Sequence, residues 1–126
     1  MNICLDIDGT ITEDPKFFSL LSNTIKASGG KVFIVTSRTP CHETDVITRE
    51  ELEEFGIVYD DLWVLPDRRE AERTCPHSEL DWYQKYIFQK VAYCKNKNVD
   101  VYFEDEDKVI DLFRRFLPSV RVFQVK

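Results

Sequence analysis

The chain begins with a short apolar segment that leads directly into two closely spaced carboxylates. Residues 2–5 have the length and character of a β-strand, and Asp6-Ile7-Asp8-Gly9-Thr10 follows without a break. Because side chains alternate along a strand, Asp6 and Asp8 can point the same way while Ile7 enters the core. Two carboxylates this close repel each other unless a divalent cation or a shared proton lies between them. The pattern therefore favours an α/β fold, in which chemistry is placed at the carboxyl ends of strands.

Strand-like and helical patterns alternate along the rest of the chain. The run at 31–35 is continuously apolar, which is typical of a parallel strand buried on both faces. We expect a second short helix at 48–56 and a long irregular connection at 66–80. The alternation predicts an α/β fold built on one doubly wound, Rossmann-like parallel sheet. The five predicted strands cover residues 2–5, 31–35, 61–65, 99–103 and 120–125.

Length and charge narrow the classes of function. With 126 residues and 43% hydrophobic content, the chain can bury one ordinary core, so we expect a single domain over residues 1–126. A net charge of −6 argues against broad binding of duplex nucleic acid. No segment is as apolar as a membrane span, and the chain starts in a strand in place of a leader peptide, which predicts a cytoplasmic protein without membrane contacts.

Four cysteines are widely spaced, and none forms a Cys-x-x-Cys pair, so we expect reduced thiols. Cys41-His42 and Cys75-Pro76-His77 fall in predicted loops and leave a structural zinc site open as an alternative, although adjacent Cys and His are poorly spaced to bind one metal. Arg68, Arg69, Arg73 and His77 also lie in the 66–80 connection. These residues could recruit an anionic substrate. Because Glu70 and Glu72 alternate with the arginines, we favour the alternative that their charges are neutralised locally.

Polar residues suited to phosphate chemistry follow the second and fourth predicted strands. Thr36 ends the second strand, and Arg38 offers a planar guanidinium that suits a phosphate or carboxylate group. The fourth strand ends in Glu104-Asp105, whose oxygens are hard ligands of the kind that Mg²⁺ binds. Because the carboxyl ends of neighbouring parallel strands lie at one edge, we expect these groups to converge there.

The Asp6-Ile7-Asp8-Gly9-Thr10 motif, followed in order by a threonine, a lysine and an acidic pair, resembles the haloacid dehalogenase (HAD) superfamily of Mg²⁺-dependent phosphatases. The resemblance covers nearly the whole chain and implies a strand order of 3-2-1-4-5 with helices on both faces. It implies that Asp6 is the nucleophile that forms an aspartyl-phosphate, and that Asp8 is the general acid and base. It also implies that the Thr36 hydroxyl donates to a phosphoryl oxygen and that Arg38 binds substrate.

The same resemblance implies a Mg²⁺ site and a catalytic lysine. The metal ligands would be Asp6, the backbone carbonyl of Asp8, and Asp105 or Glu104, with Asp105 the first choice. Lys85 and Lys90 compete for the lysine that neutralises the phosphoryl group. We choose Lys85 because it leaves a full helix before the fourth strand, although it lies off the apolar stripe of that helix, and Lys90 is the alternative.

Larger HAD members carry a cap domain, for which this chain has no room, so the resemblance implies a capless member. An open site suits a large substrate, or a neighbouring subunit acting as a lid in a homo-oligomer. Residues 82–123 are also similar to the phosphatase domain of phage-type polynucleotide kinases, in which an acidic pair precedes a helix rich in Arg and apolar residues.

The expected activity is Mg²⁺-dependent hydrolysis of a phosphomonoester on a phosphorylated small molecule. One alternative is a 3′- or 5′-phosphatase of nucleotides or nucleic-acid ends. A phospho-accepting signalling domain and a degenerate, noncatalytic binding domain also stay open. A signalling domain would carry its acceptor Asp on a strand in the middle of the chain and would have no use for Asp8.

Overall fold

A five-stranded parallel sheet forms the centre of the protein, whose residues 1–125 are described by a computed structural model. The strand order is β3-β2-β1-β4-β5, which confirms the predicted α/β class and topology. The strands are β1 (Asn2–Asp6), β2 (Lys31–Thr36), β3 (Asp61–Val64), β4 (Val101–Glu104) and β5 (Arg121–Gln124). The helices are α1 (Pro15–Ala27), α2 (His42–Glu54), α3 (Arg68–Thr74), α4 (Trp82–Asn96) and α5 (Asp107–Phe116), and a short 3₁₀ turn covers Ile11–Glu13.

Alternation along β1 divides the core between the two faces of the sheet. Ile3 and Leu5 pack on the face that α1 and α2 cover, where Phe18 and Leu52 are buried. Cys4 points to the opposite face and packs with side chains of α4 and α5. Because β1 is buried on both faces, its apolar residues read as a continuous run.

Two segments are more helical than the sequence predicts. Helix α2 begins at His42, so Thr48 lies inside it and is not a helix cap. The 66–80 segment, predicted to be irregular, contains α3, whose start is capped by Asp67. Acidic residues lie in the first turn of each helix, where they interact favourably with the positive helix N-terminus. The capping pattern at Thr48 and the strand-ending Pro66 suggest other boundaries.

The sheet topology brings the ends of three strands together. β1 lies between β2 and β4, and the registers pair Leu5 with Ile34 on one side and with Phe103 on the other. Asp6, Thr36 and Glu104 therefore end neighbouring strands at the same edge. This is the point at which the strand order reverses, where open α/β sheets bind ligands.

The predicted zinc alternative is not formed within residues 1–125. Cys41 is exposed at the start of α2, while the His77 ring stacks on Phe116 with the ring centroids 4.1 Å apart. The one group of side chains that could hold a metal in the described chain consists of Asp6, Glu104 and Asp105. Within the same residues, no helix has the length and apolarity needed to cross a membrane.

Candidate active site

A buried lysine lies at the centre of the site. Lys90 is on α4, on the same stripe as Ile87, Val91 and Cys94, and only 3% of its side chain is exposed. Its Nζ donates to Asp6 Oδ1 and to Glu104 Oε1, at 3.0 Å each. Burial lowers the pKa of Lys90, but the two carboxylates outweigh this and leave the pKa raised, so the amine is charged.

The structure places Lys90, the predicted alternative, and not Lys85 beside the candidate site carboxylates. Lys85 is five residues before Lys90, which turns its side chain away from the buried stripe. Among residues 1–125, the Lys85 side chain forms no hydrogen bond or ion pair with the site carboxylates, whose lysine partner is Lys90. Lys90 follows Ile87 by three residues and so lies on the apolar stripe of the helix, which is the sequence signal that favours it. This signal outweighs the spacing to the fourth strand, which favours Lys85.

Glu104 is a fully bonded carboxylate and serves to anchor the lysine. It is 1% exposed, and the Tyr102 hydroxyl donates to Oε1 together with Lys90. Its Oε2 accepts from the backbone N–H groups of Asp105 and Glu106, at 3.2 Å each. Burial raises the pKa of Glu104, but the charge of Lys90 and these hydrogen bonds outweigh it, so the pKa is lowered. Both oxygens of Glu104 therefore already accept hydrogen bonds.

Asp6 and Asp105 are the two carboxylates of the cluster whose negative charge is not fully compensated by neighbouring positive charge. Asp6 is 5% exposed, and its Oδ2 accepts from the Thr10 hydroxyl at 3.2 Å. Burial raises the pKa of Asp6 well above its usual range, Lys90 opposes this, and the charge of Glu104 adds to it. Burial and a hydrogen bond with Glu104 also raise the pKa of Asp105. One oxygen from each of the three carboxylates lies within 4.8 Å of the others, so the donor set fits a hard divalent cation.

Gly9 allows Asp105 to reach this cluster. Its backbone has a φ of +81°, which favours glycine, and a Cβ at this position would lie 2.2 Å from Asp105 Oδ2. The glycine of the first motif therefore serves both the turn after β1 and the close approach of Asp105.

Arg38 binds Asp8 in this structure. Its Nε and Nη2 donate to the two oxygens of Asp8 at 2.9 and 2.8 Å, and α2 supports it through Thr48 and Glu51. These hydrogen bonds lower the pKa of Asp8. Thr36 is buried at the end of β2, and its hydroxyl accepts from the backbone N–H of Arg38 at 3.1 Å.

Three supporting residues, Thr48, Glu51 and Tyr102, are not predicted from the sequence. The pattern around Thr48 and Glu51 indicates a helix cap, and Tyr102 resembles an ordinary strand residue. Only the three-dimensional packing of α2 against Arg38, and of Tyr102 against Glu104, reveals their contacts.

The Gly9→Ala substitution tests the contact with Asp105. It adds backbone strain of about 1–2 kcal/mol and drives the Asp105 carboxylate out of the cluster. Gly29→Ala is the matched control, because Gly29 has a similar φ of +87° but no atom within 4 Å of the position that a Cβ would take. In urea unfolding, Gly9→Ala should lose more stability than Gly29→Ala, and Asp105→Ala should remove the difference. Equal losses would mean that the contact with Asp105 is unimportant.

The Lys90→Met substitution tests the buried charge. It leaves Asp6 and Glu104 buried without a cation and should lower the free energy of unfolding by about 3–5 kcal/mol. The two carboxylates would then have higher pKa values in the folded chain than in the unfolded chain. The decrease in the free energy of unfolding should therefore be largest near pH ~8, where they are ionised, and should become smaller toward pH ~5. Lys85→Met, the control, should change stability by less than about 0.5 kcal/mol. A larger loss at Lys85 in urea unfolding would contradict the site.

Structural comparisons place the chain among proteins of the same fold. No known protein-family model and no curated protein matches the sequence. Among solved structures, a chain of the Pnkp1/Rnl/Hen1 complex is similar with a TM-score of 0.68 and 21% identity, and a chain of the Pnkp1/Rnl/Hen1 RNA repair complex with a TM-score of 0.66 and 22% identity. These alignments cover 98% of this chain but 44% and 42% of the other chains, so this chain spans less than half of their length.

A universal stress protein in complex with cAMP is also similar, with a TM-score of 0.53 and 11% identity over 100% of this chain and 96% of its own. At these identities the similarities establish a shared Rossmann-like α/β fold and no more.

Proposed function

We propose that the protein is a Mg²⁺-dependent phosphomonoester hydrolase of the HAD type that acts through an aspartyl-phosphate on Asp6. The observation that carries the proposal is the buried ion pair between Lys90 and Asp6, beside Asp105, at the edge of the sheet where ligands bind. An ordinary structural ion pair would not need a further carboxylate with a raised pKa next to it.

Asp6, Asp105 and the backbone carbonyl of Asp8 would hold the Mg²⁺. When bound, the ion supplies positive charge that neutralises both the carboxylates and the phosphate group of the substrate. Glu104, which the sequence predicts as an alternative ligand, acts in this proposal by fixing Lys90 and the backbone of Asp105.

Asp6 is oriented for attack by its two partners. Lys90 donates to one oxygen of the carboxylate and the Thr10 hydroxyl donates to the other, which restricts its rotation. An Asp6 oxygen forms a bond to phosphorus while the bond from phosphorus to the ester oxygen breaks, and Asp8 gives a proton to the leaving oxygen. Asp8 then takes a proton from water, which attacks phosphorus and releases inorganic phosphate and free Asp6. Lys90 and the Thr36 hydroxyl stabilise the phosphoryl oxygens.

The contact between Arg38 and Asp8 describes the resting enzyme. While Arg38 binds Asp8, Asp8 is ionised and cannot give a proton. A phosphate group on the substrate competes for the same guanidinium, because Arg binds phosphate in the same bidentate way as carboxylate. Transfer of Arg38 to the substrate therefore releases Asp8, which takes a proton from water or from the substrate's phosphate group and can then give it to the leaving oxygen.

A second candidate is a 3′- or 5′-phosphatase of nucleotides or nucleic-acid ends. The observation that favours it is the fold shared with chains of the Pnkp1/Rnl/Hen1 RNA repair complex. Asp8 disfavours the two nonenzymatic classes, since neither a phospho-accepting signalling domain nor a noncatalytic binding domain needs a general acid beside the acceptor.

The Asp6→Asn substitution tests the nucleophile. It should abolish Mg²⁺-dependent hydrolysis of p-nitrophenyl phosphate, because an amide cannot form the acyl phosphate. The raised pKa of Asp6 means that a neutral isostere relieves repulsion, so the Tm should stay near or above that of the wild type.

The assay is the release of nitrophenol with and without Mg²⁺, beside a thermal melt of each variant. Asp100→Asn, a control at an exposed carboxylate before β4, should retain wild-type rates. Substantial turnover by a folded Asp6→Asn protein would refute the mechanism.

A further inference from the structure

Three aromatic residues line the first turns of α4 and are called here the aromatic strip: Trp82, Tyr83 and Tyr86. Trp82 is one of two tryptophans in the chain, and it is 49% exposed. The ring centroids of Trp82 and Tyr83 are 5.6 Å apart, and those of Tyr83 and Tyr86 are 6.5 Å apart. Tyr83 and Tyr86 are partly buried against the core, so the strip runs from the core surface to the exposed Trp82 at its outer end.

The aromatic strip leads away from the candidate active site. Tyr86 lies one helical turn before Lys90, and its hydroxyl donates to the carbonyl of Ser37, next to Thr36, at 3.3 Å. The Tyr83 hydroxyl donates to Glu106, next to Asp105. Trp82 is eight residues before Lys90, or roughly 12 Å along the helix axis. A terminal nucleotide and its neighbour can span this length from a phosphate held at Lys90.

Two cations flank the aromatic strip. The Arg68 guanidinium lies 4.6 Å from the centroid of the Trp82 ring, and Lys108 Nζ lies 5.4 Å from that of Tyr83. Arg68 is well exposed, and its partner Glu72 is 3.6 Å away. Aromatic faces beside basic side chains are the combination by which proteins bind single-stranded nucleic acid.

Acidic residues limit how much nucleic acid this surface can bind. Asp81, Asp107 and Asp111 line the groove next to Lys108. Together with the net charge of −6, they repel a polynucleotide that continues past the strip. The surface is therefore suited to a strand terminus and unsuited to a long strand or a duplex.

We infer that the substrate is the phosphorylated end of a single-stranded nucleic acid, whose terminal bases stack on the aromatic strip while its phosphate lies at Asp6 and Lys90. This inference rests on the proposed function and adds to it the substrate class and the residues that select it. Trp82 is then a specificity-determining residue, and Arg68 and Lys108 contact the adjoining backbone phosphates.

Activity on matched substrates tests the inference. The substrates are p-nitrophenyl phosphate, a phosphotyrosine peptide, and short RNA and DNA strands with a 3′- or a 5′-phosphate. Wild-type kcat/KM should be highest for one of the strands. The ratio of this value to that for p-nitrophenyl phosphate should fall about tenfold in Trp82→Ala and be largely retained in Trp82→Phe, because stacking needs an aromatic face. Phe123→Ala, a similarly exposed aromatic residue on the edge strand β5, should leave the ratio unchanged.

A binding measurement separates this inference from the hydrolysis itself. In a Trp63→Phe background, Trp82 is the sole tryptophan, and stacking of bases should quench its fluorescence when a 3′- or 5′-phosphorylated strand is added to the Asp6→Asn protein. Two basic contacts predict a shallow dependence of affinity on salt, with a slope of about −1.4.

The outcomes are distinguishable. Suppose that the protein hydrolyses p-nitrophenyl phosphate. A preference for the phosphopeptide, an unchanged ratio of kcat/KM values in Trp82→Ala, or no quenching of Trp82 fluorescence by the strands would each overturn the inference. None of these three results would contradict the proposed function. A wild-type protein that hydrolyses none of these substrates would overturn both.

Discussion

The ion pairs of Lys90 are the interaction on which the site depends. A charged amine is expensive to bury, and here two carboxylates from different strands compensate it, Asp6 from β1 and Glu104 from β4. The same contacts attach α4 to the centre of the sheet. Within the described residues, no buried side-chain nitrogen or oxygen lacks a hydrogen-bond partner, so the cluster is complete as a polar network. Its charge is not balanced, because Asp105 adds a third carboxylate to a single amine.

The acidic groups differ in environment, and their chemistry differs accordingly. Glu104 is saturated by hydrogen bonds and has a lowered pKa, which suits a structural anchor. Asp6 and Asp105 have raised pKa values and gain most from a divalent cation. Asp8 is exposed, paired with Arg38 and ionised, which in the proposed function lets it change partners when substrate binds. Side chains of similar chemistry thus take separate roles because of burial and neighbouring charge.

The fold is predictable because the strands follow from local patterns, while their order follows from the resemblance to the HAD superfamily. The apolar run that ends in Asp6 and Asp8 locates the candidate catalytic edge, and the ends of the second and fourth strands locate Thr36 and the acidic pair. The lysine is harder to predict, since its role depends on which way α4 turns relative to the sheet. Lys90 lies on the buried stripe of the helix and Lys85 does not, and this periodicity is a better guide than distance along the chain.

Several features depend on contacts that no local pattern contains. The support of Arg38 by Thr48 and Glu51 requires the packing of α2 beside the end of β2. The difference in hydrogen bonding between Glu104 and Asp105 depends on Tyr102 and on two backbone N–H groups. In the sequence these two acids are adjacent and equivalent, and only the hydrogen bonds of the folded chain distinguish the anchored Glu104 from Asp105, the proposed metal ligand.

The proposed chemistry requires that the carboxylates beside Lys90 form a site for a divalent cation. Isothermal titration calorimetry of Mg²⁺ into the wild type and into Asp105→Asn tests it most directly, with circular dichroism to show that the variant is folded. We expect one Mg²⁺ per chain in the wild type and loss of this binding in the variant. Undiminished Mg²⁺ binding by a folded Asp105→Asn protein, or no binding by the wild type, would contradict the claim.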